Sequence, residues 1–316
     1  MRTRSSMLPP APDTPGPRPK VSAIMVTCNR LTNLRGCARM ILDQTHSDLE
    51  LIVADDHSGD GTEAWVRRLI EDDPRVRYNR APFKGGINTA LNSAIAGARG
   101  EYIQICHDHD HYLPGLTARM AGVLDRHPGV VFVHPGRQGC DHLMNPRPDC
   151  LFVCGYPEVT RGDQWRRFML GRLDSPVTGL SMIRRSALDQ AGLFDAEFGP
   201  CSDVDMWLRL CALGDVGYVD ELLLYVRGRE PGHPYEGAAW QVGHQLIRIH
   251  RKHLKLAYSG PGYVYRRARS EFEIDLSLAV SYLNSFRHKR SRDIAEGRQY
   301  LRRHGVLVSR LLGWAL

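Results

Sequence analysis

Three short apolar runs, each ending abruptly in polar side chains, constrain this chain more than any other feature. They are Val21 to Thr27 (VSAIMVT), Leu49 to Ala54 (LELIVA) and Glu101 to Cys106 (EYIQIC). A strand with one solvated face alternates in polarity, whereas a nearly unbroken apolar run marks a strand covered on both faces, as in parallel sheets. Between the runs, apolar residues recur at helical spacing: Leu34, Cys37, Ala38, Ile41 and Leu42, then Trp65, Val66, Leu69 and Ile70, then Ile87, Ala90, Leu91, Ala94 and Ile95. Val76 to Tyr78 and Val130 to Val133 add shorter strands. Strands alternating with helices predict an α/β fold: a Rossmann-like, doubly wound, mostly parallel central sheet flanked by helices.

Such sheets bind ligands beyond the carboxyl ends of their strands. Three polar clusters fall there: Thr27, Asn29 and Arg30 after the first run, Asp55 and Asp56 after the second, and His107-Asp108-His109-Asp110-His111 after the third. Pro114 is expected in the first turn of the next helix. Residues 135–176 show scattered Gly, Pro and Cys with short helical hints. Thr178-Gly179-Leu180-Ser181 precedes the apolar pair Met182-Ile183, and Asp203 opens a helix carrying Val204, Trp207, Leu208 and Cys211. After Tyr225 the chain reads as mainly helical, with Leu246, Ile249, Ile274, Leu276 and Leu278 as buried candidates. The expected boundaries are a disordered leader at 1–19, a catalytic unit at 20–230 and a mainly helical C-terminal extension at 231–316. The catalytic unit divides into a nucleotide-binding half at 20–112 and an acceptor half at 113–230.

Composition narrows the function classes. The 316 residues are 42% hydrophobic and 24% charged, ordinary for a soluble protein, and no apolar run reaches membrane-spanning length. The Pro- and Arg-rich first nineteen residues have no apolar core of the kind a secretory signal needs, so a cytoplasmic location is expected. Eight scattered cysteines read as reduced thiols, although Cys140, His142, Cys150 and Cys154 form a set that zinc could use. From Arg248 onward there are fifteen Lys or Arg against five Asp or Glu. This excess suits a solvated helical face, an anionic acceptor or peripheral membrane contact. No basic strand is interleaved with aromatics, so nucleic acid is not an expected partner.

The His107–His111 run places five successive metal-capable side chains at one strand end. A divalent ion held there would neutralise charge developing on a diphosphate leaving group. A carboxylate at a strand end, such as Asp55 or Asp56, can accept a hydrogen bond from a base imide or ribose hydroxyl, although the same pair also suits a turn. Asp203, at a helix start, is either a helix cap or a general base for an acceptor hydroxyl. Asp205 is expected to orient or support the site.

These segments together resemble inverting GT-A glycosyltransferases of family 2. VSAIMVTCNR is similar to that family's first strand and nucleotide loop, and DLELIVADDHSGDGT to its second strand and uridine-binding acidic pair. NRAPFKGGINTALNSAIAGARGEYI resembles the stretch leading to the metal motif, and TGLSMIRRSAL, AGLFD and SDVDMWLRL resemble acceptor-side segments. The resemblance implies a nucleotide-sugar donor, most simply a UDP-sugar, and an acceptor hydroxyl on a polysaccharide, a lipid-linked precursor or a small natural product. It implies that Thr27, Asn29, Arg30, Asp55, Asp56, Lys84, Gly86, Asn88 and Asp108 line the donor site, and that Asp203 is the base. Counted back from Pro114, His107-Asp108-His109 stands where family members carry Asp-x-Asp, while Asp108-His109-Asp110 is itself such a triplet one residue on. The implied metal set is Asp108, His109, Asp110 and His233, and a histidine ligand tilts preference from Mg²⁺ toward Mn²⁺. Arg227 and Arg229 would steady the diphosphate. Two other classes share part of this pattern: a sugar-1-phosphate nucleotidyltransferase, for which TCNRLTN lacks the Gly-rich basic loop, and a non-catalytic nucleotide-sugar binding protein.

Overall fold

The computed structural model describes residues 19–170, 177, 179–228, 239–257, 261–269 and scattered positions between 272 and 302. Strands β1 (Val21–Thr27), β2 (Leu49–Asp55), β3 (Val76–Arg80) and β4 (Tyr102–His107) alternate with helices α1 (Leu31–Leu42), α2 (Thr62–Asp72) and α3 (Ile87–Gly97). There follow β5 (His111–Tyr112), α4 (Leu116–Arg126), β6 (Val130–Cys140), β7 (Pro146–Phe152), β8 (Val159–Thr160) and α5 (Gly162–Leu170). The last elements are β9 (Met182–Arg184), α6 (Arg185–Ala191), a 3-10 turn at Ala196–Cys201, α7 (Ser202–Leu210), β10 (Asp215–Val226) and α8 (Ala239–Ala257).

The sheet runs β3-β2-β1-β4-β9-β6-β10-β5, with β7 on β6 and β8 on β10. The pairs β3–β2, β2–β1, β1–β4 and β6–β10 are parallel, and the short β9 is inserted antiparallel between β4 and β6. Six strands therefore point one way, which is the expected mostly parallel sheet. Both faces are covered, which explains the unbroken apolar runs. From β1, Val21, Ala23 and Met25 join Leu34, Ile41, Met120 and Leu124 on one side. Ile24 and Val26 join Ala90, Ala94, Trp207 and Ile249 on the other. Strand order reverses at β1, with β2 on one flank and β4 on the other, so the ligand crevice of such folds opens between the carboxyl ends of β1 and β4.

Several expectations are corrected. Residues 135–176 hold more strand than the helical hints suggested: β6 continues through Pro135 and Gly136 to Cys140 and pairs antiparallel with β7. Pro and Gly interrupt the apolar period there, and the sheet overrides local propensity. Pro114 precedes α4, which starts at Leu116. Leu276 is 51% exposed, whereas Ile249 is fully buried as expected and Leu246 is partly buried. The Cys140, His142, Cys150 and Cys154 set does not converge: Cys140 is buried and Cys154 exposed, and the metal-capable group among the described residues lies elsewhere. Residues 1–18, Thr178, Arg229, His233, Ile274 and Leu278 fall outside the described residues. No helix among the described residues is long and apolar enough to cross a membrane.

Candidate active site

Thr27 ends β1 in register with Asp55 of β2, and the preceding Val26 is in register with His107 of β4. The three polar clusters thereby come to one edge. Hydrogen bonds between loops then fix that edge. The Thr27 hydroxyl donates to Asp108 Oδ2 at 2.7 Å across the point where strand order reverses. The Asn29 N–H donates to Ser58 Oγ, and Asn29 Oδ1 accepts from the Gly59 N–H, so the loops after β1 and β2 are stitched together. Asn29 holds φ of 53°, a left-handed backbone that asparagine tolerates better than most residues. Arg30 gives α1 no side-chain cap; instead Asp60 accepts the Leu31 N–H at 2.8 Å. Ser58 and Asp60 thus hold the site from a segment, HSGDG, whose sequence signals only a turn.

The acidic pair divides in function. Asp55 is fully buried, and its oxygens accept from the Ser58 N–H at 2.9 Å and the Tyr78 hydroxyl at 2.6 Å. It braces the loop after β2 through these two bonds. Asp56 accepts the Gly85 and Gly86 N–H groups at 2.9 and 3.0 Å, which fixes the glycine loop that opens α3. Two further lone-pair positions on that carboxylate stay available for a base or ribose. Asp56→Ala is expected to free both loop amides, cost about 1–3 kcal/mol of stability and weaken nucleotide binding. A thermal melt and a nucleotide titration check both effects.

Lys84 is exposed, and its charge is felt at Cys28, where it partly offsets the burial that raises the thiol's pKa. Gly86, with φ of 83°, takes a conformation few other residues adopt. Asn88 is turned inward: it donates to Gly199 O at 3.1 Å and accepts from the Ser202 hydroxyl at 2.8 Å. These bonds tie α3 to the start of α7.

In the histidine–aspartate run, side chains pair across the turn. His107 Nδ1 lies 3.1 Å from Asp110 Oδ2, and Asp110 Oδ1 accepts the Arg227 N–H at 2.8 Å. Burial works against protonation of His107, but Asp110, Asp108 and Asp203 outweigh it and raise its pKa. Burial likewise opposes ionisation of Asp110, and His107, His109 and the Arg227 N–H outweigh that to lower its pKa. His109 Nδ1 stands between an acceptor, Asp108 Oδ1 at 2.9 Å, and a donor, Arg30 Nη1 at 3.0 Å, so its proton decides which contact is a hydrogen bond. The Tyr112 hydroxyl accepts the His107 N–H and donates to His107 O, locking the turn's base.

His107, His109 and Asp110 offer ligand atoms that all lie within 4.8 Å of one another. Two imidazoles and a carboxylate fit a divalent ion. His107, one of the five metal-capable side chains of the run, lies outside the set that the resemblance implies; its position at the head of the Asp-x-Asp register is the available signal. Arg227 Nε is buried with no hydrogen-bond partner among the described residues, beside Asp110.

Asp203 lies in the first turn of α7. Its Oδ1 accepts the Val204 N–H at 2.8 Å. Burial raises its pKa to about 6, although the Val204 N–H and the nearby His107 pull the other way. Gly179 fills the gap: a Cβ there would lie 3.4 Å from His107 Nε2 and 3.9 Å from Asp203 Oδ2. Asp205, fully buried, supports the helix rather than the chemistry. It accepts from Arg209 Nε, Lys252 Nζ and His253 Nε2, each at 2.8 Å, and so pins α8 to α7. A separate cavity of about 320 Å³ beside α4 and β10 is lined by Arg119, Arg126, Glu158 and Glu221. Those charges are paired with one another, at 3.3 Å for Arg119–Glu221 and 2.8 Å for Arg126–Glu158, and they offer no reacting group.

Known proteins resemble the chain at both levels. It is 38% identical over 103 residues to the GalNAc(5)-diNAcBac-PP-undecaprenol beta-1,3-glucosyltransferase of Campylobacter jejuni, covering 32% of this chain and 33% of the relative. It is 24% identical to the chondroitin synthase of Pasteurella multocida over 65% of this chain and 20% of the relative. The chain thus spans a third or less of these curated relatives. In structure it is similar to S. aureus TarS 1-349 in complex with UDP-GlcNAc, with a TM-score of 0.63 at 15% identity, over 90% of this chain and 81% of that one. It is also similar to the mannosyltransferase PcManGT from Pyrobaculum calidifontis in complex with GDP-Man and Mn²⁺, with a TM-score of 0.55 at 19% identity, over 94% and 79%. These likenesses carry the GT-A fold. The family model described as "Glycosyl transferase family 2" matches residues 22–192, more than half of the sequence, and on that match the chain belongs to glycosyl transferase family 2.

Proposed function

We propose that the protein transfers a sugar from a nucleoside-diphosphate donor, a UDP-sugar in the first instance, to an acceptor hydroxyl with inversion at the anomeric carbon. The observation that carries this reading is Asp203: a carboxyl with a pKa raised to about 6, facing His107 across Gly179 at the carboxyl edge of the sheet. A base with that pKa is ionised at neutral pH yet holds a proton well enough to take one from an alcohol in a transition state.

The donor's nucleoside would lie over Thr27, Asn29, Arg30, Asp56 and the loop of Lys84 and Gly86. Asp108, tied to Thr27, would meet the ribose or diphosphate. Arg227 Nε would donate to a diphosphate oxygen and thereby gain the partner it lacks. Asp203 accepts the acceptor's hydroxyl proton as its oxygen bonds to the anomeric carbon. The bond from that carbon to the diphosphate breaks on the opposite face, its electron pair leaving with the nucleotide. A divalent ion held by the His107–Asp110 turn, to which the sequence also assigned Asp108 and His233, would neutralise the departing charge. The C. jejuni and P. multocida relatives make a glycan or lipid-linked acceptor the first to try. The basic C-terminal region supports peripheral membrane contact.

Calorimetric titration with UDP and then UDP-sugars, with and without Mn²⁺, tests the donor. Binding is expected to be metal-dependent and to disappear in Asp108→Ala. No binding of any uridine nucleotide by the folded protein would remove the UDP-sugar reading. Retention of anomeric configuration in the product, read by NMR, would exclude single displacement.

A further inference from the structure

The outer edge of β10 is interrupted. β8 pairs with Val216 and Gly217, and β5 with Leu224 and Tyr225, while residues 219–222 between them have no ladder partner on that side among the described residues. On the inner side the register slips at the same place: Val219 lies opposite Pro135 and Leu222 opposite Gly136, so Asp220 and Glu221 bulge out of the ladder. Bulges re-aim side chains and are over-represented beside functional sites. Here the bulge lines the cavity of about 320 Å³, with Arg119, Val123 and Arg126 of α4 and with Tyr156 and Glu158 of the segment before β8. That volume suits a small ligand. Tyr156 is half-buried, and the rings of Trp165 and Tyr218 stand edge-on to it at 5.6 and 5.7 Å, which fixes its plane.

The charges around this ring select the ligand class. Arg119 faces Glu221 at 3.3 Å and Arg126 faces Glu158 at 2.8 Å, while Asp220 accepts the Cys154 and Gly155 N–H groups at 3.0 Å each. An anion would have to part a guanidinium from its carboxylate, and a cation would have to do the reverse. A hydroxyl does neither, because it donates to the carboxylate and accepts from the guanidinium of one pair. We propose that the cavity binds a neutral pyranose unit, its C–H face on Tyr156 and its hydroxyls on the Arg119–Glu221 and Arg126–Glu158 pairs. The site shares no residue with the crevice, and its ligand class rests on the lining alone. Only the further step, that the unit belongs to an acceptor glycan held away from its reacting end, rests on the transferase reading.

The test titrates the full chain with methyl β-glucoside, methyl β-N-acetylglucosaminide and the matching β-linked trisaccharides, with and without excess UDP. Saturation-transfer NMR reads the sugar, and tryptophan fluorescence reads Trp165 beside Tyr156. Binding is expected with Kd on the order of millimolar and to be unchanged by UDP. Tyr156→Ala should weaken it about tenfold, whereas Tyr156→Phe, which keeps the ring, should not. Glu221→Ala, at the exposed rim where it cannot unfold the chain, should weaken it as well. Trisaccharides bound more tightly than the glycosides assign the site to a glycan chain, and equal binding assigns it to a free sugar. Binding of none of the four, displacement by UDP, or full binding by both Tyr156→Ala and Glu221→Ala would overturn the proposal. UDP affinity measured on the same samples keeps the two readings apart: its absence removes the donor alone, and loss of the sugar signal removes the cavity site alone.

Discussion

Asp203→Asn is expected to cut turnover by about 10²–10⁴-fold and to make the protein more stable. Asparagine keeps the Val204 N–H bond and the shape of the carboxyl but cannot take a proton. The stability gain follows from the raised pKa, from 3.8 to about 6. An acid that holds its proton more tightly folded than unfolded makes stability fall as pH climbs from about 4 through 6, and the loss persists above 6. Removing that buried charge should return on the order of 2 kcal/mol at pH 8 and nothing at pH 3. Thermal melts of both proteins at the two pH values check this, and the wild-type rate should rise with pH through an inflection near 6. A variant that loses donor binding together with turnover would give Asp203 a structural role instead.

The second large effect lies two residues further along α7, at Asp205. Burial alone would raise the pKa of Asp205, but His253, Lys252 and Arg209 hold it well below the usual carboxylate range. Asp205→Ala leaves Arg209, Lys252 and the buried His253 without the acceptor they share and should cost about 3 kcal/mol. That corresponds to a drop on the order of 10 °C in Tm. Because α7 carries Asp203 in its first turn, turnover should fall more than nucleotide affinity does. An unchanged melting temperature would mean that α8 does not brace α7 in solution.

The contrast between these two aspartates shows what the sequence could and could not convey. Strand ends were legible because burial on both faces leaves an unmistakable apolar run, and the ends locate the crevice by topology alone. The helix that Asp203 heads was legible from the spacing of Val204, Trp207 and Leu208. Orientation was not. Asp55 and Asp56 are neighbours, yet one faces the core and Tyr78 while the other faces the glycine loop. Asn88 reads as part of a nucleotide segment, but its partners Gly199 and Ser202 lie more than a hundred residues away. His107 reads as one of five metal-capable side chains in a row, and only the fold shows Asp110 turning back to meet it. The antiparallel β9, three residues long, is too short to carry a period.

The pairing of β5 with β10 bears on how the protein is made. Tyr112 lies opposite Leu224, and the Arg227 N–H reaches back to Asp110, so the turn that begins at His107 is completed by chain synthesised more than a hundred residues later. Contacts of such sequence separation form late and slowly. On a ribosome adding about 5–20 residues each second, the first four strands can pair while the histidine–aspartate turn still lacks its closing strand. The nascent chain therefore owns the crevice at the carboxyl ends of β1 and β4 before the histidine–aspartate turn is closed. Translation order alone delays a competent enzyme until β10, and then α8, have left the exit tunnel.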